Sequence, residues 1–137
     1  MSKKTKIILV DLKDSFTYNL VQLLENLGAH VYVRPYSTDV VAGCEEYDKI
    51  LLSPGPGTPE DYPALFDLIH TFQNKKPILG ICLGHQAIGT FYGAKLGQLA
   101  KVQHGQTVLL FPGSGIEGTL LEGISLPKLA TLYHSWA

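Results

Sequence analysis

The sequence predicts an α/β fold: a doubly wound, mostly parallel sheet with helices on both faces. Short runs that are apolar at every position, such as Ile7-Ile8-Leu9-Val10 and Ile50-Leu51-Leu52, have the pattern of strands buried on both faces of a parallel sheet. Between them lie segments whose apolar residues recur at helical spacing, and this alternation marks βαβ units. With 137 residues, 45% hydrophobic and 17% charged, the chain has the length and composition of one core, so residues 1–137 are read as a single domain.

The elements follow in order. Residues 6–10 form a first strand ended by Asp11. Ser15 is placed to cap a helix whose apolar stripe is Phe16, Leu20, Leu23, Leu24 and Leu27, and Gly28 stops it. Residues 31–33 read as a second strand, 36–46 as a loop or short helix, and 49–52 as a third strand. Ser53-Pro54-Gly55-Pro56-Gly57-Thr58-Pro59 suits neither a helix nor a ladder. A helix over 64–72 presents Leu65, Leu68, Ile69 and Phe72 on one face, a strand follows at 78–81, and the next helix covers 86–92. From Gly93 the runs shorten: 105–111, a turn at 112–115 and 128–134 predict a more irregular, partly antiparallel extension. The final residues, 129–137, run as a strand to the last position, so the chain is expected to be incomplete at its C-terminus.

Composition excludes several functions. The net charge is -1, and the only basic cluster is Lys3, Lys4 and Lys6, so binding nucleic acid by neutralising phosphates is not expected. The apolar runs are strand-sized, which predicts no membrane association and a cytoplasmic protein. Cys44 and Cys82 lack zinc-site spacing and are read as reduced thiols, with no metal and no cofactor expected. Residues 84–90 have the glycine spacing of a P-loop but no lysine where that motif requires one, and no stretch carries G-x-G-x-x-G.

The most informative segment is Gly80-Ile81-Cys82-Leu83-Gly84, a nucleophile elbow with sulfur in place of oxygen. Flanking glycines are required where a Cβ would clash. The helix that follows points free N–H groups and the positive end of its dipole at the sulfur, which favours thiolate. The competing reading is a buried cysteine acting as a small hydrophobe. In an open parallel sheet, ligands bind beyond the carboxyl ends of the strands, and a right-handed crossover brings the 53–59 loop and the elbow to one edge. There the N–H groups of Gly57 and Leu83 are placed to form an oxyanion hole for acyl transfer. Of the five histidines, His30 and His70 lie in elements away from that edge and His104 precedes a glycine turn. His85 and His134 are the candidates for a base.

Four motifs in order, Asp14-Ser15-Phe16-Thr17-Tyr18-Asn19, 52–59, Gly80 to Ile88 and Tyr133-His134-Ser135, resemble class I glutamine amidotransferases over the whole chain. The resemblance is strongest to the glutaminase subunit of anthranilate synthase and its para-aminobenzoate counterpart. It implies a flavodoxin-like fold and hydrolysis of L-glutamine through a Cys82 thioester. The ammonia would pass to a chorismate-using synthase subunit, for tryptophan or folate synthesis. The resemblance assigns the oxyanion hole to Gly57 and Leu83, and the glutamine site to Gly55, Pro56, Gly57, Leu83, Gln86, Ser135 and Trp136. Docking of the synthase falls to Asp14, Ser15, Phe16, Thr17, Tyr18 and Asn19. It displaces His134 as base, because the family uses a His-Pro-Glu pair in a later segment and no His-x-Glu occurs in these 137 residues. Leu12, Lys13 and Trp136 depart from the family pattern. The 137 residues alone are therefore expected to be inactive or severely impaired. The alternatives are a short form acting only as a binding partner and an unrelated thiol hydrolase.

Overall fold

A strand that is apolar at every position must be covered on both sides, and the first strand is. In the computed structural model, which describes residues 3–111, 113–115, 117–125 and 128–137, β1 (Lys6–Asp11) carries Ile8, Leu9 and Val10 at no more than 1% exposure. It lies between β2 (His30–Pro35) and β3 (Lys49–Leu52), and β3 pairs in turn with β4 (Ile78–Gly80). All three pairings are parallel, and the order is β2-β1-β3-β4. The predicted α/β class and parallel sheet are therefore present.

This order explains the double winding. The connection from β1 to β2 moves one way along the sheet and that from β3 to β4 moves the other way. With right-handed crossovers their helices fall on opposite faces: α1 (Thr17–Asn26) on one, α2 (Ala64–Phe72) on the other. The helix after β4, α3 (Leu83–Phe91), packs beside α2. Ile8, Val10, Ile50 and Leu52 point into the same cluster as Leu65, Leu68, Ile69, Phe72, Leu83 and Ala87. That cluster is the core, and it lies directly beneath the elbow.

Helix ends follow local chemistry. At the end of α1, Gly28 adopts φ +95°; its N–H donates to the Glu25 carbonyl and that of Ala29 to the Leu24 carbonyl. This is a Schellman motif, which needs a residue free to enter the left-handed region. The stop at Gly28 is thus as predicted.

Three details differ from the sequence reading. Ser15 does not cap α1; Phe16 sits at the N-cap with no side-chain cap bond. The Asp11 and Asp14 carboxylates take over, accepting from the Thr17 hydroxyl at 2.8 Å and the Phe16 N–H at 2.8 Å, so the chain turns before the helix begins. The predicted stripe on α1 is largely uncovered, with Phe16, Leu23 and Leu27 at 62%, 56% and 76% exposure, because the main neighbour of α1 is β2, the terminal strand of the four. And Pro59 is not loop: a 3-10 turn runs over Pro59–Asp61.

The chain divides into two compact units, Met1–Lys95 and Leu96–Ala137. The second is an antiparallel pair, β5 (Gln98–Leu110) and β6 (Lys128–Trp136), with register irregularities between Gln98 and Gln103 and between His104 and Gln106. The Gly97 and Ala137 backbones exchange hydrogen bonds at its end. An irregular antiparallel extension was expected here; of its predicted 112–115 turn, Pro112 lies outside the described residues.

One lysine ties the first unit together away from the sheet edge. The half-buried Lys76, at the turn between α2 and β4, donates from Nζ to the carbonyls of Cys44 (2.9 Å), Tyr47 (2.6 Å) and Glu45, and sits 5.1 Å from the Phe72 ring centroid. The Cys44 and Glu45 carbonyls lie at the C-terminal end of the 3-10 turn Ala42–Cys44 and the Tyr47 carbonyl just beyond it, so the ammonium adds to the bond that Cys44 already accepts from the Tyr47 N–H at 3.3 Å. Lys76→Met keeps the apolar stem and removes the ammonium from all three carbonyls, leaving Cys44 only its bond from the Tyr47 N–H. It is expected to destabilise the protein by about 2–3 kcal/mol, read as a lower urea midpoint at unchanged m-value.

Candidate active site

The site grows from the pairing of β3 with β4. Leu52 is opposite Gly80, so the loop leaving β3 and the elbow leaving β4 emerge side by side at the carboxyl edge. The Ile81 N–H donates to the Leu52 carbonyl at 3.0 Å and the Gly84 N–H to the Ser53 carbonyl at 3.3 Å. Cys82 lies between these two bonds.

Cys82 has φ +54° and ψ -110°, and it is one of two non-glycine residues with positive φ among those described. An L-residue there is strained by roughly 1–3 kcal/mol, a conformation that persists where the surroundings over-determine it. The flanking glycines show how close they are. A Cβ on Gly80 would fall within 3.0 Å of the Gly84 backbone, and one on Gly84 within 3.0 Å of the Leu52 carbonyl. The elbow predicted from the sequence is present, and Cys82 is an exposed free thiol, so the alternative of a buried cysteine does not apply.

The helix after the elbow starts at Leu83, three residues before its predicted start at 86, with Cys82 as its N-cap residue. The first intrahelical bond runs from the Gln86 N–H to the Cys82 carbonyl at 2.9 Å. Leu83 is buried at 1% exposure with its side chain in the core, and among the described residues no hydrogen bond uses its N–H. Gln86 is half-buried one turn on, and His85 is exposed between them.

The facing loop is held by side chains the sequence reading passed over. Ser53, fully buried, accepts from the Leu12 N–H at 2.8 Å and donates to the Pro54 carbonyl at 2.7 Å, joining the ends of β1 and β3. Gly55 lies against the Leu12 carbonyl and Leu83, with no room for a Cβ. Gly57 has φ +83°, and a Cβ there would meet the Asp61 carboxylate, which accepts from the Thr58 N–H at 2.9 Å. Among the described residues no hydrogen bond uses the Gly57 N–H. Tyr62, 6% exposed, donates from its hydroxyl to the Pro56 carbonyl at 3.0 Å, and its ring meets that of Tyr36 edge-on at 5.0 Å. Thr58-x-x-Asp61 is a legible capping pattern; nothing in the sequence points to Tyr62.

The remaining assigned residues lie in two places. Asp14, Ser15, Phe16, Thr17, Tyr18 and Asn19 follow β1 at the same carboxyl edge: Thr17 is buried at 1% while Phe16 and Tyr18 are 62% and 70% exposed. Ser135 and Trp136 are the last residues of β6 in the second unit, where Nδ1 of His134 lies 3.1 Å from the Trp136 carbonyl oxygen. His30 opens β2 and His70 lies in the last turn of α2, away from the elbow as expected. No three His, Cys, Asp or Glu among the described residues cluster closely enough to hold a metal, and no described helix is long and apolar enough to cross a membrane.

A family model for class-I glutamine amidotransferases matches residues 8–137. The chain belongs to this family. Aminodeoxychorismate synthase component 2 of Escherichia coli is 39% identical over 132 residues, covering 94% of this chain and 68% of that protein. Anthranilate synthase component 2 of Saccharolobus solfataricus is 40% identical over 135 residues, covering 93% and 68%. Aminodeoxychorismate/anthranilate synthase component 2 of Bacillus subtilis is 38% identical over 134 residues, covering 94% and 66%. Thus the chain spans about two thirds of the length of these relatives. The fold matches that of a glutamine amidotransferase from Thermotoga maritima at TM-score 0.72 and 18% identity, over 99% of this chain and 63% of that one.

The two thiols of this amidotransferase differ in environment. Cys44 is fully buried and donates to the Val40 carbonyl at 3.3 Å; burial pushes its pKa up from 9.0 to about 11 against the lowering influence of Arg34 and Lys76. Iodoacetamide at pH 8 is expected to label Cys82 and leave Cys44 unmodified until the chain unfolds, as mass spectrometry of the peptides reports. The same burial makes stability fall in alkali. Below pH 9 the thiol is neutral in both states; between 9 and about 11 the unfolded chain releases a proton that the folded one retains, so unfolding becomes easier as pH rises. Cys44→Ala is expected to flatten this decline in urea titrations.

Proposed function

We propose that this chain is the glutaminase of a chorismate-using synthase, hydrolysing L-glutamine and passing on ammonia. The observation that carries the reading is Cys82, strained at φ +54° on its elbow and facing a Pro-Gly loop at the same sheet edge. The names of the component 2 relatives support the same assignment. In this reading residues 1–137 are one amidotransferase domain.

The proposed mechanism is acyl transfer to the thiol. The Cys82 sulfur attacks the side-chain carboxamide carbon of glutamine, and the N–H groups of Gly57 and Leu83 hold the oxygen as it becomes an anion. Collapse of this tetrahedral species breaks the C–N bond, and the nitrogen leaves as ammonia with a proton supplied by a general acid. Water then cleaves the glutamyl thioester, releasing glutamate and restoring the thiol. In this reading Gly55, Pro56 and Gly57 line the glutamine site and Gln86 contacts the substrate, while the family resemblance alone assigns the Ser135-Trp136 backbone to the amino-acid end. The exposed Phe16 and Tyr18, within the 14–19 segment, form the apolar part of the surface that docks the synthase subunit.

The 137 residues contain no His-x-Glu, so by themselves they supply no such pair for the acid–base step. General acid–base help is worth about 10²–10⁴-fold, so the 137 residues alone are expected to hydrolyse glutamine more slowly than the family's complete machinery by a factor of that order.

The test uses the complete protein with its synthase subunit. Cys82→Ala is expected to abolish glutamine-dependent product while leaving the ammonia-dependent reaction of the synthase intact. Loss of both activities, or survival of the glutamine-dependent one, would sink the assignment.

A further inference from the structure

The peptide unit between Pro56 and Gly57 contains the N–H proposed to hold the oxyanion, and its orientation is governed by ψ of Pro56 and φ of Gly57. The proline ring fixes its own φ and leaves ψ free, while Gly57, without a Cβ, enters either half of φ space at little cost. The rings that stiffen this loop therefore leave that unit able to rotate. Yet a planar trans peptide points its carbonyl and its N–H in opposite directions, so a bond that holds the carbonyl also aims the N–H.

Tyr62 supplies such a bond. Its hydroxyl reaches the Pro56 carbonyl at 3.0 Å and the Leu12 carbonyl at the longer distance of 3.4 Å, so its single proton favours Pro56, and its ring is fixed edge-on against Tyr36 at 5.0 Å, 83° between planes. We propose that Tyr62 is a positioning residue of the glutaminase, setting the direction of the Gly57 oxyanion donor by holding the Pro56 carbonyl on the opposite side of the same peptide. This rests on the glutaminase reading above. Burial raises the pKa of the phenol, so it remains a hydrogen-bond donor through neutral pH.

Tyr36 provides the control. Its ring belongs to the same aromatic pair, but its hydroxyl accepts from the Ala64 N–H at 2.9 Å, away from the loop. Tyr62→Phe and Tyr36→Phe each remove one hydroxyl and keep the ring pair; only the first releases the Pro56 peptide, together with the longer contact to the Leu12 carbonyl. In the complete protein with its synthase subunit, at a temperature where circular dichroism shows both variants folded, Tyr62→Phe is expected to lower kcat for glutamine hydrolysis by about tenfold or more. Outright loss of an oxyanion donor costs about 10²–10³. The KM for glutamine is expected to stay within about threefold, because the lost interaction belongs to the transition state. Tyr36→Phe is expected to leave kcat unchanged.

A second readout does not depend on activity. In ¹⁵N spectra, the Gly57 amide is expected to broaden or double in Tyr62→Phe and to remain single in Tyr36→Phe. Wild-type kcat in Tyr62→Phe, an equal fall in both variants, or an unaltered Gly57 amide would each overturn the proposal. If the wild-type protein hydrolyses no glutamine, the glutaminase reading fails, and the Gly57 amide alone decides whether Tyr62 holds the peptide.

Discussion

The site depends on a contact between two stretches of backbone. Gly84, on the first turn of α3, lies so close to the end of β3 that its N–H donates to the Ser53 carbonyl and a Cβ would enter the space of the Leu52 carbonyl. With no side chain between them, α3 and the 53–59 loop stand at a spacing set by the backbone. The same contact explains how Cys82 stays strained. The chain is pinned to β3 just before it, through the Ile81 N–H, and two residues after it, through Gly84, so relaxing φ at Cys82 would break one of two bonds. Leu83, anchored in the core, adds a third restraint.

What the sequence reveals and what it conceals follow from how local each feature is. The runs 7–10 and 50–52 are legible because a strand covered on both faces needs apolar residues throughout, and β1 and β3 are so covered. The elbow is legible because Gly80 and Gly84 are each required by a close approach. By contrast, the sequence reading gives the helix as 86–92 while the structure starts it at Leu83, so that its first turn contains Gly84, a residue that propensity disfavours in a helix. Steric necessity at Gly84 overrides propensity there. Ser15 failed as a cap for another reason: Asp11 and Asp14 offer stronger acceptors nearby and fold the segment around themselves. On α1, helical periodicity identified an apolar stripe correctly but carries no information about what covers it. And Tyr62 has no local signature, because the carbonyl it holds belongs to a loop whose course is set by tertiary contacts.

The composition of the 53–59 loop also has a chemical logic beyond stiffness. Pro54 and Pro56 have no N–H, so between Ser53 and Thr58 the backbone offers only two donors, those of Gly55 and Gly57. Gly55 is pressed against the Leu12 carbonyl, where its role is to let the loop approach β1. Gly57 is different: its positive φ turns the chain, the Asp61 carboxylate occupies the side where a Cβ would stand, and its N–H is left unpaired among the described residues. A loop of ordinary residues would present several amides, each able to bind water or a competing acceptor. Alternating proline with glycine removes all but two, and close packing against β1 constrains one of them. The loop thus leaves one peptide, that between Pro56 and Gly57, with an N–H unpaired among the described residues, at the cost of leaving it without a side chain of its own to orient it.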